Sequence, residues 1–206
     1  MRIATYNIEW FSSLFDDEDQ LFDDGGWSAR YNVTRAQQTQ ALGRVFQALD
    51  ADAVMIIEAP DQSKNRSTIK ALTGFATHFG LRARDAVIGF PNDTQQEIAL
   101  LYDPDVLQVD HAPLGPVAGA NGLAGAPRFD GALLIDLDID AAEDKVVFSK
   151  PPLELNLRST RGFAFHMIGA HLKSKAPFGA RTAAQALQIN IANRRKQLAQ
   201  AIWLRG

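Results

Sequence analysis

The sequence predicts an α/β fold, and three observations predict it. An apolar stretch with β-branched and aromatic residues opens the chain (RIATYNIEW), and a second follows at DADAVMIIEAP. An amphipathic helical pattern lies between them, giving strand, helix and strand, one crossover unit of an α/β protein. Beyond it come a second helical stretch, a strand-rich middle and a long final helix.

Ile3 to Trp10 reads as a buried strand. Thr5, Asn7 and Glu9 then share one face, and Tyr6, Ile8 and Trp10 the other. A polar loop follows with the acidic run Asp16, Asp17, Glu18, Asp19 and then Asp23, Asp24, Gly25, Gly26. It lacks the regular oxygen ligands, central Gly and closing Glu of a calcium loop, so it is expected to be solvated. Ala41, Leu42, Val45, Phe46 and Leu49 fit a helix from Thr34 to about Leu49, with Thr34 as N-cap. Ala53 to Ile57 is an almost continuous apolar run, which indicates a strand covered on both faces. A helix is expected over Ser67 to His78. Strands are expected over Asp85 to Phe90, Glu97 to Tyr102, Val106 to Asp110, Leu133 to Ile139 and Phe163 to His171. A Gly- and Ala-rich loop, Gly115 to Gly125, and the Lys150-Pro151-Pro152 loop interrupt them. From about Arg181 to Arg205, Ala184, Leu187, Ile191, Leu198 and Ile202 recur at helical spacing. No repeat and no linker stand out, so residues 1–206 read as a single domain.

Composition narrows the function classes. There is no cysteine, which excludes disulfides and cysteine-ligated metals and suits a reducing compartment. No signal peptide is visible at the amino terminus, so a cytoplasmic location is expected. No apolar run is long enough to span a bilayer. The formal net charge of −3 gives no basic excess, so the usual footprint of a non-specific nucleic-acid binder is absent.

Three polar residues close apolar strands: Asn7, Glu58 and His171. Each alone has an ordinary explanation, since a carboxylate at a strand end is usually solvated and Asn commonly starts turns. Together they are more telling, because ligand sites of open α/β sheets gather outside strand ends. Magnesium prefers oxygen ligands and needs only one or two carboxylates, a role that suits Glu58. Asn7 is able to orient a phosphate by hydrogen bonding. His171 suits phosphate contact or proton transfer, its intrinsic pKa lying near neutrality. Lys173, two residues on, would face the same side and bind an anionic substrate. Glu9 is a weaker candidate on the Asn7 face. His78, His111 and His166 have no ligand-like spacing, and His166 and His171, an odd number apart, would face opposite sides of a strand.

Four segments in this order, RIATYNIEWF, LDADAVMIIEAP, EIALLYDP and MIGAHLKSK, carry a resemblance to the endonuclease/exonuclease/phosphatase superfamily. The helix opened by Arg181 (RTAAQALQINIANRRKQLAQAI) is similar as well. The resemblance implies a four-layer α/β sandwich, two packed mixed sheets flanked by helices. It implies phosphoester hydrolysis dependent on Mg2+ or Mn2+, with an in-line water. Glu58 matches the metal-binding Glu, Asn7 the first-strand Asn, and His171 the histidine that contacts the scissile phosphate in nuclease-like members. The family's Gly-Asp-Phe-Asn and Ser-Asp-His type motifs, the second of which activates water, do not occur here. The resemblance therefore spans the first two-thirds to three-quarters of the family's domain, and the chain as written is expected to be nearly inactive.

The leading expectation is a nuclease-like phosphodiesterase. A phosphatase or phospholipase acting on a small or lipid-linked phosphate is the second, and a non-catalytic module that keeps the fold is the third. Convergence of Lys64, Arg66, Arg82, Arg84, Lys173, Lys175 and Arg181 into a basic rim would favour nucleic acid.

Overall fold

The computed structural model describes residues 1–119, 121–137 and 142–206. In chain order the strands are β1 (Ile3–Asn7), β2 (Ala53–Ala59), β3 (Asp85–Ile88), β4 (Glu97–Tyr102), β5 (Leu107–His111), β6 (Leu133–Ile135), β7 (Asp144–Val146), β8 (Leu153–Ser159) and β9 (Ala164–Gly169). The helices are α1 (Arg35–Leu49), α2 (Thr68–His78) and α3 (Ala183–Arg205). The chain, read from sequence as one domain, divides into two compact units, Met1–Ala112 with Pro152–Ala170, and Pro113–Pro151 with His171–Gly206.

The first unit is an α/β sandwich. One mixed sheet has the order β1-β2-β4-β3, with β1 parallel to β2 and the other neighbours antiparallel. The crossover between β1 and β2 contains α1, whose N-cap Thr34 and Gln37 form a reciprocal capping box. The second sheet, β5-β8-β9, is antiparallel. Alternation along β2 decides the layering. Ala53, Met55 and Ile57 face the second sheet and pack with Leu107, Leu153, Leu155 and Leu157. Val54 and Ile56 face the helices and pack with Leu42, Phe46, Leu72 and Phe75. Burying each of the larger apolar side chains stabilises the unit by about 1.5–3 kcal/mol. At Gly169 the sheets approach so closely that a Cβ would sit 2.4 Å from Met55 Sδ.

The second unit has the β6–β7 pair, α3 and a core of Phe129, Leu133, Val146, Phe148, Ala199 and Trp203. Trp203 Nε1 donates to Pro127 O at 2.6 Å. The buried face of α3 differs from the expected one. Leu187, Ile191, Leu198 and Ile202 are exposed, and Asn193, Ala199, Gln200 and Trp203 are buried. Aromatic packing of Trp203 on Phe129 and Phe148, and anchoring of Gln200 to Val147 O, outweigh the aliphatic periodicity.

Other boundaries moved for local reasons. The first strand stops at Asn7 because Trp10 is left-handed (φ 63) and opens a short 3-10 turn, Phe11–Leu14. Glu9 is therefore in a turn and not on a strand face. The strand expected over Leu133 to Ile139 is short, and residues 138–141 lie outside the described residues. β7 and β8 were not expected; in β8 the alternating Leu153, Leu155 and Leu157 begin directly after the prolines, which precede the strand without interrupting it. β9 ends at Gly169, so His171 and Lys173 follow the strand and share no strand face. Among the described residues no helix is long and apolar enough to cross a membrane.

Candidate functional site

Parallel pairing sets Asn7 opposite Ile57, so the end of β1 lies beside the end of β2. Glu58 is there by a backbone irregularity. Ile57 pairs with Ile98 and Ala59 with Glu97, leaving Glu58 as the extra residue of a β-bulge, with φ 64. A bulge re-aims a side chain, and a positive φ at a non-glycine residue is uncommon. Gln96 Nε2 donates to Glu58 Oε2 at 3.1 Å and holds the carboxylate.

Asn7 and Glu58 line one open cavity of about 660 Å3, together with Tyr6, Glu9, Arg30 and Gln38. Arg30 Nη1 donates to Glu9 Oε2 at 2.8 Å, and buried Gln38 donates through Nε2 to Glu9 O at 3.0 Å. Glu9 thus joins the site through its turn. Arg30 was missed from sequence, where it is an isolated basic residue in a polar loop. Only the pairing of Trp27 with Thr34, which folds that loop back, brings it to the cavity.

Glu97 was also missed, although its segment had been singled out. It begins β4, is 2% exposed, and accepts from Asn92 Nδ2 at 2.7 Å. Burial, reinforced by the nearby Asp61 carboxylate, pushes its carboxyl pKa up to about 7 against hydrogen bonds from Asn92 and Gln62 that lower it. A carboxyl that titrates near neutrality one residue from the Gln96 that holds Glu58 is a feature of functional clefts. It also sets a pH dependence. Glu97 is neutral in both folded and unfolded chains below about pH 4.5, so its relative destabilising effect is absent there. As pH rises from about 4.5 to about 7, the unfolded chain ionises this carboxyl while the folded chain keeps it protonated, so stability falls across that window and levels off above it. Urea titrations of the wild type and of Glu97→Gln are expected to diverge between pH 5 and pH 8 by up to about 3 kcal/mol, the wild type losing more. A constant difference across that range would contradict the assignment.

The other candidates are distributed differently. His171, Lys173 and Arg181 belong to the second unit. The Lys173 N–H donates to Gln200 Oε1 at 2.7 Å, and the Arg181 N–H donates to Gln185 Oε1 at 2.9 Å at the start of α3. Arg82 and Arg84 do not join a rim in the first unit. They are at the opposite end of the sheet, where Arg82 bonds Asp50, Asp52 and Asp103 and Arg84 bonds Asp105. Arg66 is engaged by Phe15 O and Asp16 O. The acidic loop is likewise not merely solvated, because buried Asp19 accepts from the Ser67 N–H before α2, where orphan amides favour an anion.

Among the described residues no group of three or more His, Asp or Glu side chains gathers as a metal cluster. Glu58, Asn7 and Glu9 line the same cavity with oxygen-bearing side chains, the donor type a hard cation prefers, and Glu9 is engaged by Arg30. No protein-family model matches the chain, and no curated protein or solved structure is significantly similar to it.

Proposed function

We propose that this chain is a phosphodiester hydrolase of the endonuclease/exonuclease/phosphatase type that uses Mg2+ or Mn2+ held at Glu58. The observation that carries the reading is the bulged, left-handed Glu58, aimed into the cavity it shares with Asn7 and Arg30. A bound divalent ion there would polarise the phosphoryl oxygen and activate water. Asn7 would donate its amide N–H to a phosphate oxygen. Arg30 would offset the charge of the anion, released in part from Glu9. His171 is assigned phosphate contact on the family resemblance alone; Lys173, proposed for substrate binding from a strand face it does not have, and Arg181, a weaker candidate, both belong with it to the second unit. No Ser-Asp-His type motif is present, so turnover by these residues is expected to be slow.

Titration with Mn2+, followed by paramagnetic resonance, tests the reading first. The wild type is expected to bind Mn2+, with Glu58→Gln at least about tenfold weaker, and bis-p-nitrophenyl phosphate turnover is expected to appear with Mn2+ and disappear with a chelator. Unchanged Mn2+ binding in Glu58→Gln, or turnover that survives chelation, would falsify it. Mn2+ binding with no turnover would leave a non-catalytic phosphodiester-binding module in its place.

A further inference from the structure

The last helix carries an apolar stripe that its own core does not use. Leu187, Ile191, Leu198 and Ile202 on α3 are 63%, 46%, 61% and 49% exposed. At the pitch of an α-helix they fall within an arc of about 60°. Buried Asn193, Ala199, Gln200 and Trp203 occupy the opposite side. The stripe is therefore a second face, left over once Trp203 has taken the core. Single exposed aliphatic residues are ordinary on protein surfaces, but these four align along one helix. Its flanks are charged in one sense only. Arg194 and Arg195 border the stripe midway along it, one on each side, and Arg194 Nε donates to Asn190 Oδ1 at 3.0 Å. From His171 to Gly206 there are seven Lys or Arg residues and no Asp or Glu. The second unit as a whole has ten basic and six acidic side chains, against eleven and eighteen in the first.

We infer that this stripe is a docking seam for an amphipathic helix of a partner protein, with aliphatic residues at matching spacing and Asp or Glu on its flanks. The inference is independent of the hydrolase reading. Width and charge choose the occupant. A narrow stripe suits a helix–helix seam, whereas a helix lying in a bilayer surface buries a broad apolar face. Here arginines bound the stripe closely, and the tryptophan of the helix, a residue suited to the bilayer interface, is in the core. A second copy fits no better. Antiparallel self-pairing that sets Leu187 of one copy against Ile202 of the other, and Ile191 against Leu198, brings the Arg194-Arg195 pair against its own equivalent. Parallel pairing in register does the same. Like charges so placed cost affinity, and α3 has no acidic residue to offset them. Acidic flanks on a partner turn the same arginines into cross-helix ion pairs, which steer association and select the partner. Burial of the aliphatic side chains supplies the affinity.

Fluorescence anisotropy with two labelled helical peptides tests the seam. Both carry Leu at the spacing of Leu187, Ile191, Leu198 and Ile202, one with Glu flanking the stripe and the other with Lys. The full chain is expected to bind the Glu peptide at least about tenfold more tightly than the Lys peptide. Leu187→Ser with Leu198→Ser, at exposed positions that leave the core intact, is expected to weaken that binding at least about tenfold. Arg194→Glu with Arg195→Glu is expected to invert the preference, so that the Lys peptide binds the more tightly. Equal wild-type affinities for the two peptides, no binding of either, or a serine variant that binds the Glu peptide as the wild type does would overturn the inference. So would stripe-dependent binding to phosphatidylglycerol vesicles without binding of the Glu peptide, which would put a bilayer in the partner's place. A dimer seen by light scattering and lost in the serine variant, again without binding of the Glu peptide, would overturn it in favour of a second copy.

Discussion

Phe75→Ala is expected to destabilise the first unit by about 3–5 kcal/mol, a large fraction of the stability of an ordinary domain. Phe75 is fully buried on α2 and stands at the centre of an aromatic cluster. Its ring centroid lies 5.3 Å from Phe11, 5.2 Å from Phe46 and 4.9 Å from Phe79, in tilted or edge-on geometry. Truncation removes those contacts and leaves a hole that neighbours cannot easily fill. Phe46 is fixed on α1, and Phe79 is packed so tightly on Gly43 that a Cβ there would sit 2.2 Å from its ring. The loss would also reach the site, because the same cluster holds Ile8 and Phe11 immediately after β1 and Leu42 beneath the cavity. Urea unfolding monitored by far-UV circular dichroism checks the prediction. An unfolding free energy within about 0.5 kcal/mol of wild type would mean that the helices do not pack on the sheet through this ring.

The layers around β2 were legible because their signals are local and strong. The uninterrupted apolar run from Ala53 predicted a strand covered on both faces, and Thr34 with the following periodicity marked α1 to the residue at its N-cap. The place of Asn7 at the end of its strand was legible as a polar residue closing an apolar run, whereas Glu58, expected to close the next strand, lies inside β2, which runs on to Ala59. What failed was whatever depends on packing between distant segments. The aliphatic stripe of α3 lies exposed while Trp203 and Gln200 take the buried side, a choice made by Phe129, Phe148 and Val147 far away in sequence. Arg30 reaches the cavity only through the fold of its hairpin. Glu97 gives no sign of its burial in the sequence, since a charged residue opening a strand reads as solvated. The bulge at Glu58 is equally invisible, because nothing in AVMIIEA marks one residue as left unpaired.

That bulge supplies the second large effect. A glutamate held at φ 64 is worse off than glycine by about 1 kcal/mol, since its Cβ crowds the backbone there. Such strain persists where surrounding structure enforces it, and it concentrates at functional positions. Glu58→Gly and Glu58→Ala separate the two components. Both remove the carboxylate and are expected to lose Mn2+ binding. Both also lose the hydrogen bond from Gln96, worth about 1 kcal/mol. They differ in the backbone. Alanine keeps the left-handed strain, and glycine relieves it. Glu58→Gly is therefore expected to be more stable than Glu58→Ala by about 1 kcal/mol, the reverse of the usual order within a strand. Paired urea titrations measure this directly. If the alanine variant is as stable as the glycine variant, the bulge relaxes when the side chain is removed, and Glu58 is not held by the backbone. If glycine is the more stable and Mn2+ binding is lost in both, the carboxylate is kept against the preference of its own backbone, as expected of a residue retained for binding an ion.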